Sequence, residues 1–572
     1  MDKTLNYVMK INGWIATVFV LIAWMVFTSN AAVCTWNGGG ADNLASTKEN
    51  WTGNVAPTQA ADHVVLNETS SKAMIWNLTN IVASWTQVNY TGGVCFITGF
   101  SGSFTNVVIS GNCIVSNGTW WHPRSGASPT YRIYVRIGGD FILGSNATIN
   151  VNSNGYGRGY GPGAGSAACA NGQPAASYGG LGGDAINPTY GLYTAPTNLG
   201  SSAWAYGGGA VWLKVGGMAT INGSILARPN SELANGSGGS IFIEAGYLGG
   251  SGTLDVSCPW QSWIQRGGGG GRIAVILTNG TTFGSVKMYA YGGQSQDGVS
   301  GAAGTIYLQK AGQPTGRGTL IIDNNGIDTS TRTLLTPADT QLNLLTALVI
   351  TNKGVLGLIP QTPLNLGTGT NIFTYGPAQS IIATSCTTNL GLSGSCTFSR
   401  YTLNLYTNFQ VSGDLTISNA VVTLFCGMPS NVYVTGNVYI QTNGILSHAE
   451  NGTTELYRLR MVVGGNLTIY QGGSINVTAK GYGRNGGPGR GAGYNGWGYP
   501  GASYGGLSSE NTTYMAPWAY WLTYGSILAP TNLGSGAQSA GGGYAEVRVG
   551  GDTYLAGSIL ARGGDNGLSS GS

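Results

Sequence analysis

The chain has 572 residues, of which only 8% are charged, and a net charge of +4. It contains no run of basic residues, which argues against a nucleic-acid-binding surface. Glycine accounts for 98 residues but does not recur with the Gly-X-Y triplet period, which excludes collagen, and a hydrophobic content of 42% excludes simple disorder.

The N-terminus has the pattern of a secretory signal. Lys3 and Lys10 precede an apolar stretch at 15–27, and small residues end at Ala31. The sequence therefore predicts export, with residues 1–31 removed as a signal peptide. The alternative is an uncleaved N-terminal membrane anchor, because about 20 apolar residues span a bilayer. In that case this segment is the chain's contact with the membrane.

Most of the remaining chain predicts short strands, which are apolar or alternating runs bounded by Gly, Asn, Ser or Asp. A phrase of two such strands around a glycine turn recurs, for example at 138–151, 215–227 and 464–477. Stacking these phrases about 4.8 Å apart pairs each strand with its equivalents above and below. The sequence thus predicts an all-β, right-handed parallel β-helix with long glycine-rich loops. An array of β-sandwich or jelly-roll units is the alternative.

A long internal duplication organises this pattern. Residues 138–228 return as 464–562, and Gly155-Tyr-Gly-Arg returns as Gly481-Tyr-Gly-Arg, a shift of 326. The segment that begins at Ala195 returns at Ala529, a shift of 334, so eight residues are inserted between the two blocks. Repeats of this kind predict an extended surface rather than one buried cleft.

The duplication also suggests how the chain is divided. The predicted units are the signal peptide at 1–31, an N-terminal cap with first layers at 32–104, repeat unit 1 at 105–310, connecting layers at 311–429 and repeat unit 2 at 430–572. The second copy ends at Ser572, where its next strand is expected to begin. We therefore expect a fragment of a longer reading frame; a shortened last repeat that acts as a cap is the alternative.

Two glycine-rich loops, 155–183 and 481–506, interrupt the strand rhythm and are expected to project from one side of the β-helix. Their aromatic residues are candidates for surface contact: Tyr156, Tyr160, Tyr178, Tyr482, Tyr494, Trp497, Tyr499 and Tyr504. The other interpretation is that these rings pack against the strands, and the sequence favours packing.

Several phrases resemble those of known surface proteins. The segment from Thr35-Trp36-Asn37 through Asn50-Trp51-Thr-Gly to Pro57 resembles the opening motif of large secreted bacterial β-helix proteins of the autotransporter-passenger and filamentous-surface type. The phrases at 267–275 and 304–308 resemble those of long glycine-rich surface proteins of environmental bacteria. The resemblance implies a first strand-turn-strand layer and an adhesin-like role.

Cysteines and histidines give few chemical signals. All eight cysteines follow Ala31, and the pairs Cys95–Cys113 and Cys386–Cys396 are candidate disulfides. With no CxxC spacing and only three histidines, no zinc site and no cofactor are predicted. His122 and His448 are equivalent under the shift of 326, which indicates a structural position.

A carbohydrate-active enzyme, a polysaccharide lyase or glycoside hydrolase, is the competing hypothesis. Such enzymes need positioned carboxylates, but the 21 acidic residues are scattered, and Asp323 and Asp328 suit a self-capping turn. The glycines 267–271 suit close backbone approach rather than a phosphate loop. We therefore predict a non-catalytic protein at the cell surface or outside the cell. Its expected partners are surface glycans, as for a glycan-binding module, or envelope and matrix components.

Overall fold

The computed structural model describes residues 31–168, 172–229, 235–259, 266–296, 298–335, 345–358, 364–366, 371–375, 379–383, 389–392, 394–406, 408–426, 432–491, 501–508 and 523–565. Within these ranges the protein is all-β, with 37 strands and only two short 3₁₀ turns, Lys48–Asn50 and Thr52–Asn54. No helix in this part is long and apolar enough to cross a membrane. The predicted signal peptide lies outside the described residues, apart from Ala31.

The first half contains seventeen strands. They are β1 (Val33–Thr35), β2 (His63–Leu66), β3 (Met74–Trp76), β4 (Ile81–Val82), β5 (Ser84–Gln87), β6 (Gly93–Phe96), β7 (Val107–Ile109), β8 (Cys113–Trp121), β9 (Ile133–Ile137), β10 (Phe141–Asn150), β11 (Ala210–Ile221), β12 (Ser224–Leu226), β13 (Ser240–Gly249), β14 (Thr253–Asp255), β15 (Arg272–Leu277), β16 (Lys287–Tyr289) and β17 (Thr305–Gln309).

The second half contains twenty strands. They are β18 (Thr319–Asp323), β19 (Thr333–Leu334), β20 (Ala347–Thr351), β21 (Val355–Leu358), β22 (Leu364–Leu366), β23 (Asn371–Tyr375), β24 (Gln379–Ala383), β25 (Asn389–Leu392), β26 (Cys396–Leu405), β27 (Asn408–Val411), β28 (Leu415–Leu424), β29 (Val432–Val434), β30 (Val438–Ile440), β31 (Ile445–His448), β32 (Leu459–Val463), β33 (Leu467–Ile469), β34 (Ser474–Asn476), β35 (Ala545–Val549), β36 (Thr553–Leu555) and β37 (Ser558–Leu560).

Strands of the first half pair in three parallel ladders. The first runs through β1, β2, β5, β8, β10, β11 and β13. The second runs through β3, β6, β8, β10, β12, β14 and β16, and the third through β4, β7, β9, β11, β13, β15 and β17. The longest strands bend from one ladder into the next. Three strand positions that follow one another along the chain, one in each ladder, form what we call a layer.

The core lies between the ladders and is built from columns of equivalent side chains. Alternate residues of each strand point inward, as in β10, where Phe141 and Leu143 are buried and Ile142 is exposed. Burying each large apolar side chain contributes about 1.5–3 kcal/mol. One column of the first ladder consists of buried Cys34, Val64, Trp85, Cys113, Phe141, Ala219 and Leu248.

Asn and Asp side chains connect the turns of successive layers. In each case the side-chain oxygen accepts a hydrogen bond from a backbone N–H of the next layer, which explains why Asn or Asp follows the glycine of these turns. The bonds join Asn112 to Asp140 (2.9 Å), Asp140 to Met218 (2.8 Å), Asp414 to Asn437 (2.7 Å), Asn437 to Asn466 (2.9 Å) and Asn466 to Asp552 (2.7 Å).

The direction of the ladders reverses between the halves. Strand β18 pairs with β17 in antiparallel fashion, with Ile306 opposite Ile321. The connection turns at Gly312 and Gly316, whose φ angles of 78° and 81° suit glycine. The unit boundary that we expected at residue 310 lies in this connection. The reversal itself was not predicted, because alternating apolar residues suit parallel and antiparallel neighbours equally.

The second half again forms three parallel ladders. One contains β18, β20, β23, β26, β28, β30, β33 and β36. Another contains β19, β21, β24, β26, β28, β31, β34 and β37. The third is a separate six-stranded sheet of β22, β25, β27, β29, β32 and β35.

The first glycine-rich loop, 155–183, and the segment that follows it up to Gly209 together form what we call the first glycine-rich block. It does not project from the strands as expected; it packs onto their outer face. The Tyr178 hydroxyl lies 2.6 Å from Ser240 Oγ on β13, and buried Arg272 on β15 donates from Nε to the Tyr190 carbonyl at 3.1 Å. The glycines beside these strands allow this packing, because a Cβ on Gly269 would lie 2.0 Å from the Gly180 carbonyl oxygen of the block. The interpretation of 267–271 as a close-approach segment is thereby confirmed.

The N-terminal end of the stack is closed. Trp36 and Trp51 form an antiparallel bridge, pack edge-to-face at 5.3 Å and are fully buried. Trp51 Nε1 donates to the Ala45 carbonyl at 2.7 Å, and Trp36 Nε1 donates to the Lys72 carbonyl at 2.9 Å. The tryptophans of this segment thus seal the first layer while their polar N–H groups remain satisfied.

Candidate anion-binding surface

The two copies of the glycine-rich block share the same backbone scaffold. In the first copy, Gly155 N–H donates to the Gly207 carbonyl at 2.9 Å, and Tyr156 N–H to the Gly200 carbonyl at 3.1 Å. In the second copy, the equivalent bonds run from Gly481 to Gly541 (2.8 Å) and from Tyr482 to Gly534 (3.0 Å). The two copies can therefore be compared with each other. Residues that both copies share support the fold, whereas residues found in one copy alone can serve another role.

The duplicated histidines belong to the shared scaffold. His122 is fully buried, its Nδ1 donates to the Pro123 carbonyl at 2.8 Å, and its Nε2 accepts from Ala210 N–H at 3.2 Å. His448 makes the same two bonds, to the Ala449 carbonyl (2.8 Å) and from Tyr544 N–H (3.1 Å). Burial lowers the pKa of both imidazoles to about 4, which keeps them neutral at physiological pH. Both copies thus use histidine to join a strand to the glycine-rich block.

The predicted surface aromatics divide into two groups. Tyr156 and Tyr178 are only 7% and 0% exposed, so the proposed surface role is wrong for them and packing is their role. They are buried because the block lies on the strands instead of projecting. Tyr160 is 51% exposed, whereas Tyr482 and Tyr504 are partly exposed. The other predicted aromatics, Tyr494, Trp497 and Tyr499, lie outside the described residues.

The candidate disulfide Cys95–Cys113 is not formed. Both side chains are buried thiols, and burial raises their pKa. The register explains the separation, because Cys95 lies beside Trp121 in one ladder and Cys113 beside Trp85 in another. Cys386, of the other candidate pair, lies outside the described residues.

Asp323 and Asp328 serve structural contacts. Asp323 accepts from Asn325 N–H at 2.8 Å, which caps its own turn, and Asp328 pairs with Lys353 Nζ at 2.5 Å. Asp328 borders a polar cavity of about 490 Å³ that also contacts Cys258 and Tyr291. In the part of the chain that the structure describes, no three His, Cys, Asp or Glu side chains converge as metal ligands do.

An alternating stack of arginine and aromatic side chains lies on the surface of the first glycine-rich block. Its order is Arg124, Tyr206, Arg158 and Trp204, and we call these four residues the arginine–aromatic stack. The Arg124 guanidinium lies 3.7 Å from the Tyr206 ring centre, and that of Arg158 lies 3.6 Å from Trp204 and 5.9 Å from Tyr206. Both arginines are exposed, and both aromatics are partly exposed.

Backbone pairing brings these four residues together from three segments. Gly159 N–H donates to the Ala203 carbonyl at 2.9 Å, which places Arg158 beside Trp204. Gly157 N–H donates to the Gly126 carbonyl at 3.0 Å, which brings in the segment that carries Arg124. Arg124 is fixed further by its Nε, which donates to the Ser153 carbonyl at 2.9 Å.

The stack orients positive charge toward solvent. Each guanidinium lies over an aromatic ring, and both arginine side chains are exposed, so the N–H groups that the protein does not use are accessible to a ligand. Neither arginine forms an ion pair with a carboxylate of the described residues. Two guanidinium forks held in this way suit carboxylate or sulfate groups, which they can bind in bidentate fashion.

The second copy keeps the scaffold but not the stack. With the shifts of 326 and 334, Arg124 corresponds to Glu450, Trp204 to Gln538 and Tyr206 to Ala540, while Arg158 corresponds to Arg484. Since the same backbone bonds form without these aromatics, the fold does not require them. The arginine–aromatic stack is therefore found in the first copy and not in the second.

A shallow groove of about 300 Å³ on the outer face of the third ladder is a weaker candidate. Arg136 and Lys214 lie on adjacent strands there, but Lys214 Nζ is 3.4 Å from Glu244 Oε1. Glu244 Oε2 also accepts from Trp212 Nε1 at 2.9 Å. Lys214 and Glu244 are therefore already paired within the protein, which makes them less suited to bind a ligand.

Sequence reasoning did not single out Arg124, Trp204 or Tyr206. The sequence signal that could have identified these residues is the difference between the two aligned copies, Ala203-Trp-Ala-Tyr in the first and Ala537-Gln-Ser-Ala in the second. The candidate aromatics of the first copy were restricted to residues 155–183, and Trp204 and Tyr206 lie after that range.

In comparisons with known proteins, no family model, no curated protein and no solved structure matches this chain.

Proposed function

We propose that this protein is an exported, non-catalytic, right-handed parallel β-helix of the cell surface or extracellular matrix, which adheres to acidic glycans. Three parallel ladders in each half, with inward columns of apolar residues, support the β-helix interpretation. A right-handed path is the form that parallel strand connections almost always take. The signal-like N-terminus supports export.

The arginine–aromatic stack is the observation that carries the adhesive role. It presents two exposed guanidinium groups without carboxylate partners among the described residues, on a scaffold that the second copy builds without the equivalents of Arg124, Trp204 and Tyr206. Uronate or sulfate groups of a polysaccharide offer the matching negative charge, and the partly exposed Trp204 at the end of the stack offers apolar contact to a sugar face. Repetition of acidic groups along a polymer adds weak contacts into firm attachment.

The test is binding to polygalacturonate, alginate and a sulfated glycan on a biosensor. Each arginine's charged hydrogen bonds are worth about 1.5–3 kcal/mol, so Arg158→Gln should weaken binding about tenfold or more. The double variant Arg124→Gln/Arg158→Gln should weaken binding about a hundredfold. Trp204→Ala should cost about threefold, because it removes one cation–π contact.

Arg484→Gln is the matched control, since it removes the same charge from the equivalent turn of the second copy. Binding that responds equally to Arg158→Gln and Arg484→Gln would show nonspecific charge attraction and would overturn the assignment of the stack. Raised salt should weaken the specific binding as well, because the groups are exposed.

A further inference from the structure

A third arginine of the first copy, Arg132, lies among aromatic rings just before β9. Its guanidinium lies 4.8 Å from the ring centre of Phe100, 5.4 Å from that of Tyr134 and 5.6 Å from that of Trp212. We call these four residues the Arg132 site. In the part of the chain that the structure describes, Arg132 forms no ion pair, and its Nε is buried without a hydrogen-bond acceptor. Burial lowers the pKa of this guanidinium, as expected for a partly desolvated cation.

The aromatic rings do not replace an acceptor for Arg132. A ring attracts the cation through its π electrons, whereas the N–H groups of a guanidinium need oxygen acceptors, and a buried N–H without one is destabilising. Glu244, a carboxylate on the same outer face of the third ladder, is already engaged. It accepts from Trp212 Nε1 at 2.9 Å and lies 3.4 Å from Lys214 Nζ. The described chain therefore offers Arg132 rings but no carboxylate.

The second copy shows the same arginine with a carboxylate in place. Under the shift of 326, Arg132 corresponds to Arg458 and Pro129 corresponds to Glu455. Arg458 Nε donates to Glu455 Oε1, and the two side chains of this ion pair are only 10% and 20% exposed. The nitrogen that has no acceptor in the first copy thus binds a carboxylate in the second.

The turns that carry Pro129 and Glu455 have the same backbone arrangement. In each turn, one side-chain oxygen accepts hydrogen bonds from the backbone N–H groups of two successive residues. These bonds join Ser125 to Thr130 (3.1 Å) and Tyr131 (3.2 Å), and Asn451 to Leu456 (2.6 Å) and Tyr457 (2.8 Å). Since the turns are equivalent and proline carries no carboxylate, the first copy presents the arginine without its internal partner.

We propose that the Arg132 site binds the carboxylate group of a uronate ligand, in the way that Arg458 binds Glu455. A guanidinium binds a carboxylate through charge-assisted hydrogen bonds, and the arginine side chain and its three rings are all partly exposed. The rings add apolar contact to the sugar that carries the carboxylate. The site itself rests on the comparison of the two copies; only the source of the uronate, an acidic polysaccharide, rests on the proposed function.

The test is an NMR titration with free galacturonate that observes the Nε–H groups of the protein with isotope-labelled arginine. Loss of a signal in Arg132→Lys identifies Arg132, and loss of another in Arg158→Gln identifies Arg158. We expect the Arg132 signal to shift saturably with galacturonate, and much less with sodium chloride at the same ionic strength. An Arg132 signal that does not shift, or that shifts equally with sodium chloride, would overturn the proposal. Arg158 reports on the arginine–aromatic stack in the same spectrum, so failure of either assignment is seen separately.

Pro129→Glu gives the first copy the carboxylate that the second copy has. It should reduce the galacturonate-induced shift of Arg132 about tenfold, because a tethered carboxylate competes at a high effective concentration. Pro129→Gln is the matched control, since it makes the same backbone change without a charge, and its Arg132 signal should respond as in the wild type. Melting temperatures of both variants report that the fold is intact, and that of Pro129→Glu should be the higher. Equal responses of the two variants to galacturonate would show that the ligand does not take the carboxylate's place.

Discussion

At the residue scale, the duplicated histidines combine burial with full hydrogen bonding. His122 and His448 each donate from Nδ1 to a neighbouring carbonyl and accept at Nε2 from the backbone N–H that follows a glycine triplet. A Cβ on Gly209 or Gly543 would lie 2.5 Å from the respective Nε2, so glycine is needed there. The neutral imidazole is therefore part of the fold in both copies.

This arrangement predicts acid sensitivity. The unfolded imidazole takes up a proton near its ordinary pKa of 6.5, whereas the folded one resists down to about 4. The free energy of unfolding should thus fall as the pH drops from about 6.5 to 4, by about 3 kcal/mol per histidine, and should be unaffected above 6.5. Urea unfolding of wild type and His122→Gln across this range checks it, and the variant should lose less stability on acidification. Parallel curves for the two proteins would contradict the assignment.

At the scale of the strand and turn, substitutions at Asp140 test whether the Asn and Asp hydrogen bonds between layers stabilise the fold. Asp140 Oδ1 accepts from Met218 N–H, and Asp140 N–H donates to Asn112 Oδ1. Asp140→Ala removes the first bond and should lower the free energy of unfolding by about 1 kcal/mol. Asp140→Asn keeps an acceptor and should cost much less. Equal losses for both variants in urea titrations would show that charge, rather than the hydrogen bond, matters.

The glycine packing gives a second prediction at this scale. A Cβ at Gly304 would meet the Gly271 carbonyl 1.7 Å away, while one at Gly126 would meet nothing within 4 Å. Gly304→Ala should therefore destabilise the protein by about 3 kcal/mol, and Gly126→Ala should be nearly neutral. Thermal unfolding of both variants measures the difference, and similar melting temperatures would refute the close-approach interpretation.

Some features of the fold and of the candidate site could be predicted from the sequence, and others could not. The strands, the internal repeat and the structural role of His122 and His448 follow from local patterns, because alternation and repetition are written directly in the sequence. The cover formed by the glycine-rich block could not be foreseen, since glycine carries no side chain whose polarity would indicate burial. Likewise, Arg124 and Tyr206 meet only through backbone pairing between separate segments, which composition does not reveal.

At the scale of the whole molecule, the protein is a stack of layers with a sealed N-terminal end and a charged surface patch on the first glycine-rich block. The strands supply a rigid frame, the glycine-rich block supplies a thin cover, and the first copy's cover carries the arginine–aromatic stack. The second copy shows which of these parts the fold itself requires. In our proposal, adhesion is a property of surface side chains carried on a repeated frame.

The central claim is that the protein binds acidic polysaccharide without cutting it. Size-exclusion chromatography with light scattering, applied to polygalacturonate after incubation with the purified protein, measures both properties at once. We expect the polymer peak to gain mass by bound protein, and to lose that gain with Arg124→Gln/Arg158→Gln. A polymer that becomes shorter, or one that gains no mass at low salt, would contradict the account.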